Sequence, residues 1–169
     1  LGHPQDAGVI PALVSREVAH QWWYGVVGND VLEEPWLDEA LAEYSVVLYL
    51  ETVEGADAAQ QQLQGYRDQL QRLRALERFD QPVGSPAWAF APRGEHLSDV
   101  VQGKGALFMD ALRQEIGEDA FLAGWRTYYE RYRFGVATGR GFLEAMQQAA
   151  GQDLRTFFEE WVGPFPESE

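Results

Sequence analysis

Leu63, Tyr66, Leu70 and Leu73 recur three or four residues apart, with Gln, Arg and Asp between them. That spacing puts all four on one face of a helix and predicts an amphipathic helix beginning at Ala56. Most of the chain reads the same way. Helical patterns run over roughly 10–26, from Trp36 to about Leu50, over Ser98–Ile116, Glu118–Tyr132 and roughly 140–150, and over Asp153–Val162. Gly117 and Gly151 close two of them, and Thr138 is placed to cap another. Pro4 to about Leu13 reads as an entry segment, and no stretch shows the pattern of a strand. Five to seven helices with short links imply an all-α fold.

The chain has 169 residues, 46% of them hydrophobic, enough for one domain with a sizeable core. The expected division is a single domain over 1–169. It has paired motif-bearing helices over 9–50, the amphipathic helix over 56–80, a Pro- and Gly-rich loop over 81–96 and C-terminal helices over 97–162. Cysteine is absent, which excludes disulfides and thiolate metal sites. A net charge of -14 argues against nucleic acid or an anionic membrane surface as partner. No apolar run reaches the ~18 residues of a membrane-spanning helix, and no signal-peptide pattern is present. The chain starts at Leu1 rather than Met, as an excised piece of a longer protein would.

The chemistry-bearing residues lie in three segments. The first is Arg16-Glu17-Val18-Ala19-His20. With histidine at its first position this would be H-E-x-x-H, in which two imidazoles one helical turn apart grip a zinc ion and the glutamate acts as general base. Arginine cannot replace that ligand, because a guanidinium stays protonated and has no lone pair to give. The second is Glu39, with eighteen residues between it and His20, a spacing that suits a third ligand from the next antiparallel helix. The third is Gln102 with Lys104-Gly105-Ala106. His3 and His96 are the remaining histidines, both in segments that read as loops. The tryptophans Trp22, Trp23, Trp36, Trp125 and Trp161 are expected in the core or between helices. Glu33, Glu34 and Asp38 are expected on a solvated loop and helix start.

Val18-Ala19-His20-Gln21-Trp22-Trp23, Pro35-Trp36-Leu37-Asp38-Glu39 and Gly103-Lys104-Gly105-Ala106-Leu107-Phe108 together resemble the gluzincin zinc aminopeptidases of the membrane alanyl type. The resemblance covers about 12–50 and 82–162, including the tail Phe157-Phe158-Glu159-Glu160-Trp161. It implies the helical, C-terminal part of a thermolysin-like catalytic domain. It further implies a zinc held by two His and one Glu, removal of amino-terminal residues from peptides, and a peptide or protein amino terminus as partner. Carried over position by position, His20 is the second metal ligand, Glu39 the third and Glu17 the general base. The first ligand falls on Arg16, and the tyrosine that stabilises the oxyanion falls on Gln102. The family's Gly-Ala-Met-Glu-Asn segment, which holds the substrate's amino terminus, has no counterpart here.

Loss of one oxyanion donor lowers turnover by about 100- to 1,000-fold. Loss of the metal also removes water activation. A degenerate site follows, in which the Arg16 guanidinium stands in for the zinc charge and pairs with Glu39. Two other readings stay open: an active zinc peptidase completed by a missing amino-terminal part, and a structural or peptide-binding module.

Overall fold

The computed structural model describes residues 9–75, 81–90 and 96–165. Its elements follow in the order α1 (Val9–Ala19), β1 (Val27–Asn29), α2 (Trp36–Val53), α3 (Ala56–Ala75), α4 (Gly105–Ile116), α5 (Glu118–Tyr132), β2 (Gly135–Ala137), α6 (Gly139–Ala150) and α7 (Arg155–Trp161). A short 3-10 turn covers Ala87–Phe90, and a π-helical stretch, Asp99–Lys104, runs directly into α4.

α2 organises the rest. Eleven of its residues are buried, spread around the whole helix. A helix apolar on every side must be surrounded, and α2 packs against α1, α3, α4 and the π-helical stretch. α3 instead buries one stripe, with Leu63, Tyr66, Leu70 and Leu73 inward as their spacing predicts. α5 lies along α6. The Thr138 hydroxyl accepts from Gly141 N–H at the start of α6, and Gly151 closes the helix in the left-handed conformation.

Aromatic rings join the layers. Trp36 stands edge-on to Phe108 and Phe142, with centroids 5.9 Å away in each case. Trp23 meets Trp125 edge-on at 5.3 Å, and its Nε1–H donates to Ser45 Oγ at 3.0 Å.

The fold is all-α in character, with several departures from the sequence expectations. β1 and β2 form a parallel two-stranded ladder, Val27 opposite Gly135 and Asn29 opposite Ala137, where no strand was expected. The first helix begins at Val9, close to the expected start near 10, but stops at Ala19 rather than near 26. A Cβ at Gly25 would lie 2.6 Å from Gln21 O, so the chain turns there in a way that only glycine permits. Trp22 is 48% exposed, whereas Trp23, Trp36 and Trp125 are buried as expected. Asp38 is buried and accepts from Asn29 Nδ2 at 3.0 Å. Glu34 is half-buried and accepts from Gly139 N–H at 2.8 Å, so these two carboxylates are structural rather than solvated. The end of the expected 56–80 helix, part of the 81–96 loop, and His3 lie outside the described residues.

Candidate functional site

Three elements converge on Glu39, which sits in the first turn of α2. α1 contributes Arg16, Glu17 and His20, the last just beyond its final residue. The π-helical stretch contributes Gln102. A Cβ at Gly105 would lie 2.6 Å from Ala40 Cβ, so the glycine lets the start of α4 touch α2 beside Glu39. That close approach sets Gln102 within reach of the carboxylate.

One oxygen is the focus. Glu39 Oε2 accepts from the Arg16 guanidinium through NH2 and from Gln102 Nε2 at 2.9 Å. It also lies 4.0 Å from His20 Nε2. His20 Nδ1 is 3.3 Å from Trp23 O, where its N–H can donate; that leaves the Nε2 lone pair on the Glu39 side. Arg16 NH1 donates to Glu17 Oε1 at 2.8 Å. Arg16 Nε lies 3.1 Å from Glu43 Oε2, an ion pair whose N–H points off the line of a hydrogen bond.

Glu43 is a member that no motif named. Its side chain is only 12% exposed. Tyr66 of α3 donates its hydroxyl to Glu43 Oε1, and Gln62 Nε2 donates to the Tyr66 oxygen at 2.7 Å. One signal could have found it. Glu39 and Glu43 are four residues apart on α2 and so share a face, where like charges repel unless a cation lies between them. Burial alone would lower the pKa of the Arg16 guanidinium. The charge and hydrogen bond of Glu39, then the charges of Glu43 and Glu17, outweigh it and raise the value above the ordinary arginine range. Burial, and then the Glu43 carboxylate it faces, push the Tyr66 phenol far up, so that it stays a donor.

The donor set does not fit a zinc ion held by three protein ligands. His20 and Glu39 are the only motif ligands with lone pairs, and both acceptor positions of the Glu39 oxygen facing His20 are taken by Arg16 and Gln102. Among the described residues no group of three His, Cys, Asp or Glu side chains is arranged to hold a metal ion. His96 is bound elsewhere, its Nδ1 3.0 Å from Asp99 Oδ2. Glu17 is 60% exposed and turned to Arg16. Lys104 donates to Gln81 O at 2.8 Å, tying the loop to the π-helical stretch. An open cavity of about 580 Å³ lies beside Arg16 and Gln102, with Gln61, Gln62, Glu43 and Glu54 on its walls.

The comparisons with known proteins agree with the resemblance drawn from the motifs. Aminopeptidase N of Lactococcus lactis subsp. lactis is 25% identical over 158 residues, which cover 90% of this chain and 18% of that protein. The mitochondrial aminopeptidase 2 of Saccharomyces cerevisiae is 25% identical over 155 residues, 90% of this chain and 16% of that one. The chain thus spans less than a fifth of the length of these relatives. The crystal structure of an M1 zinc metallopeptidase from Deinococcus radiodurans superposes with a TM-score of 0.71 at 23% identity, covering 92% of this chain and 33% of that chain. A mutant of the Deinococcus radiodurans M1 zinc metallopeptidase bound to a Tyr-Ser-Ala substrate gives a TM-score of 0.72. The model of the Peptidase family M1 domain matches residues 5–161. The chain belongs to peptidase family M1, whose helical subdomain its fold reproduces.

Proposed function

We propose that residues 1–169 form one aminopeptidase-like domain whose hydrolytic site is impaired and holds no tightly bound zinc. A single observation carries the reading: the two positions that depart from the family pattern, Arg16 and Gln102, donate to the same oxygen of Glu39. The arrangement replaces a metal with a protonated side chain and turns the oxyanion position into a prop for the former ligand. Arg16 also places a full positive charge where an incoming cation would have to sit, and that repulsion is strongest where water is excluded. Glu17, the general base by family position, has no metal-bound water to act on and is engaged by the same guanidinium.

A second reading, a retained peptide-binding role, is favoured by the cavity of about 580 Å³ that stays open beside this network. Its Gln61, Gln62 and Gln102 side chains offer donors and acceptors suited to a peptide backbone.

The test is metal content and turnover on the unmodified chain. After incubation with excess zinc and dialysis, elemental analysis should find well below one zinc per chain. Chromogenic aminoacyl substrates should not be hydrolysed above background. Stoichiometric zinc together with aminoacyl hydrolysis would overturn the reading in favour of an active zinc peptidase. Calorimetric titration with short peptides separates a binding module from a purely structural one.

A further inference from the structure

Glu43 and Tyr66 belong to no family motif quoted above, yet they complete the charge arrangement around Arg16. We infer that Arg16, Glu43 and Tyr66 form a metal-independent clamp that fastens α1 to α2 and α3. The inference rests on the reading above in one respect: it takes Arg16 as the resident cation of the former metal position.

The geometry is that of a relay through three helices. Arg16 comes from α1, Glu39 and Glu43 from successive turns of α2, and Tyr66 from α3. The guanidinium presents separate nitrogens to separate carboxylates: NH2 to Glu39, Nε to Glu43 and NH1 to Glu17. The second oxygen of Glu43 is held by the Tyr66 hydroxyl, which Gln62 supports in turn. A planar fork with five donors can bridge two carboxylates in this way, whereas a single ammonium cannot serve both with the same geometry.

α1 needs such a fastening. Leu13, Val14 and Val18 are 57%, 54% and 48% exposed, so the helix leaves much of its apolar surface uncovered. Of its residues with described side chains, Ala19 alone is fully buried. The polar contacts of Arg16 therefore carry a large share of its attachment. Without the cation, Glu39 and Glu43 would face each other as like charges in a half-buried place, which strongly disfavours the packed arrangement. Glu43 is thus a positioning residue: it fixes the guanidinium, and the guanidinium fixes α1.

A double-substitution cycle tests this, with R16M, E43Q and R16M/E43Q compared by calorimetric melting in the presence of a chelator. Each single change should lower Tm by roughly 3–6 °C. The double variant should lose clearly less than the sum, because removing Glu43 relieves the repulsion left by removing Arg16. R16K should recover less than half of the R16M loss. Hydrogen exchange gives a local readout that general destabilisation would not move selectively: amides 12–19 should lose protection in E43Q and Y66F while α5 and α6 keep theirs. If R16M fails to fold, E43Q, Y66F and E43Q/Y66F form a second cycle with the same expectation of non-additivity. Additive Tm losses, or unchanged exchange of α1 in E43Q, would overturn the clamp. Such a result would leave the zinc-free reading intact, and zinc uptake by the unmodified chain would overturn that reading while leaving the cycle to stand or fall on its own.

Discussion

Arg16 and Gln102 are 86 residues apart in sequence and donate to one oxygen, Glu39 Oε2. Each alone would read as a lost catalytic part. On the reading proposed above, the carboxylate has exchanged a metal for two hydrogen-bond donors, one charged and one neutral. The exchange is coherent, because a carboxylate oxygen accepts about two such bonds and here receives both.

That relationship orders the effects of restoring the family residues. Arg16→His supplies a second imidazole and removes the competing cation, so it should bind zinc measurably where the unmodified chain does not. Gln102→Tyr alone should bind none, because Arg16 remains. The double variant should bind most tightly, since Gln102 no longer occupies the Glu39 oxygen. Metal content after dialysis, or the visible spectrum with cobalt, checks the order. No zinc in the double variant would mean that the family positions are misassigned or that the cleft lacks a further part.

Gly105→Ala tests the contact that brings Gln102 to Glu39. Its added methyl would meet Ala40 Cβ at 2.6 Å, so α2 and α4 must separate. Overpacking of this kind costs about 1–3 kcal/mol, a Tm loss of roughly 2–12 °C for a domain of this size. An unchanged melting temperature would show that the helices yield freely there.

Thr138→Ala removes the side-chain cap that accepts from Gly141 N–H at 3.1 Å. The expected loss is about 1 kcal/mol, or roughly 2–4 °C in Tm, and Thr138→Ser should keep most of the stability. A serine variant no better than alanine would assign the effect to the lost methyl rather than to the cap.

Asp110 gives a pH signature. Burial raises its pKa, although Arg67 and Arg113 oppose the shift. A carboxyl whose folded pKa is raised binds its proton more readily in the folded state than in the unfolded one. Its ionisation therefore weakens the fold, and the weakening disappears as pH falls through the folded pKa toward the unfolded value near 3.9. Asp110→Asn has no such ionisation. The Tm of Asp110→Asn relative to the unmodified chain should therefore be higher at pH 7 than at pH 4. A gap that is constant or reversed across that range would contradict the assignment.

Local patterns made much of the architecture legible. α5 spans Glu118–Tyr132 as its helical pattern indicated, and the α3 stripe and the Thr138 cap stand where their residues placed them. Non-local features were not legible. β1 is a three-residue strand whose partner lies near the other end of the chain, so nothing in its own neighbourhood marks it. The end of α1 at Ala19 was hidden because Gln21, Trp22 and Trp23 continue a helical pattern, and the turn depends on the close backbone approach at Gly25. At the site, Arg16, Glu39 and Gln102 stood out because they break or match a known spacing. Glu43 and Tyr66 break nothing, and only the packing of α2 against α3 brings them into hydrogen-bond contact.

The pairing of Val27 with Gly135 has a kinetic consequence. The ladder joins the segment after the first helix to the segment after the fifth, so its closure must wait until Ala137 has left the ribosome. The loop-closure entropy is opposed by only three residue pairs. Such a ladder forms after the helices around α2 have packed, rather than nucleating them. Refolding should therefore show early helix signal and a later step reported by Trp23, which precedes β1 and whose ring packs on Trp125, Tyr128 and Tyr129 of α5.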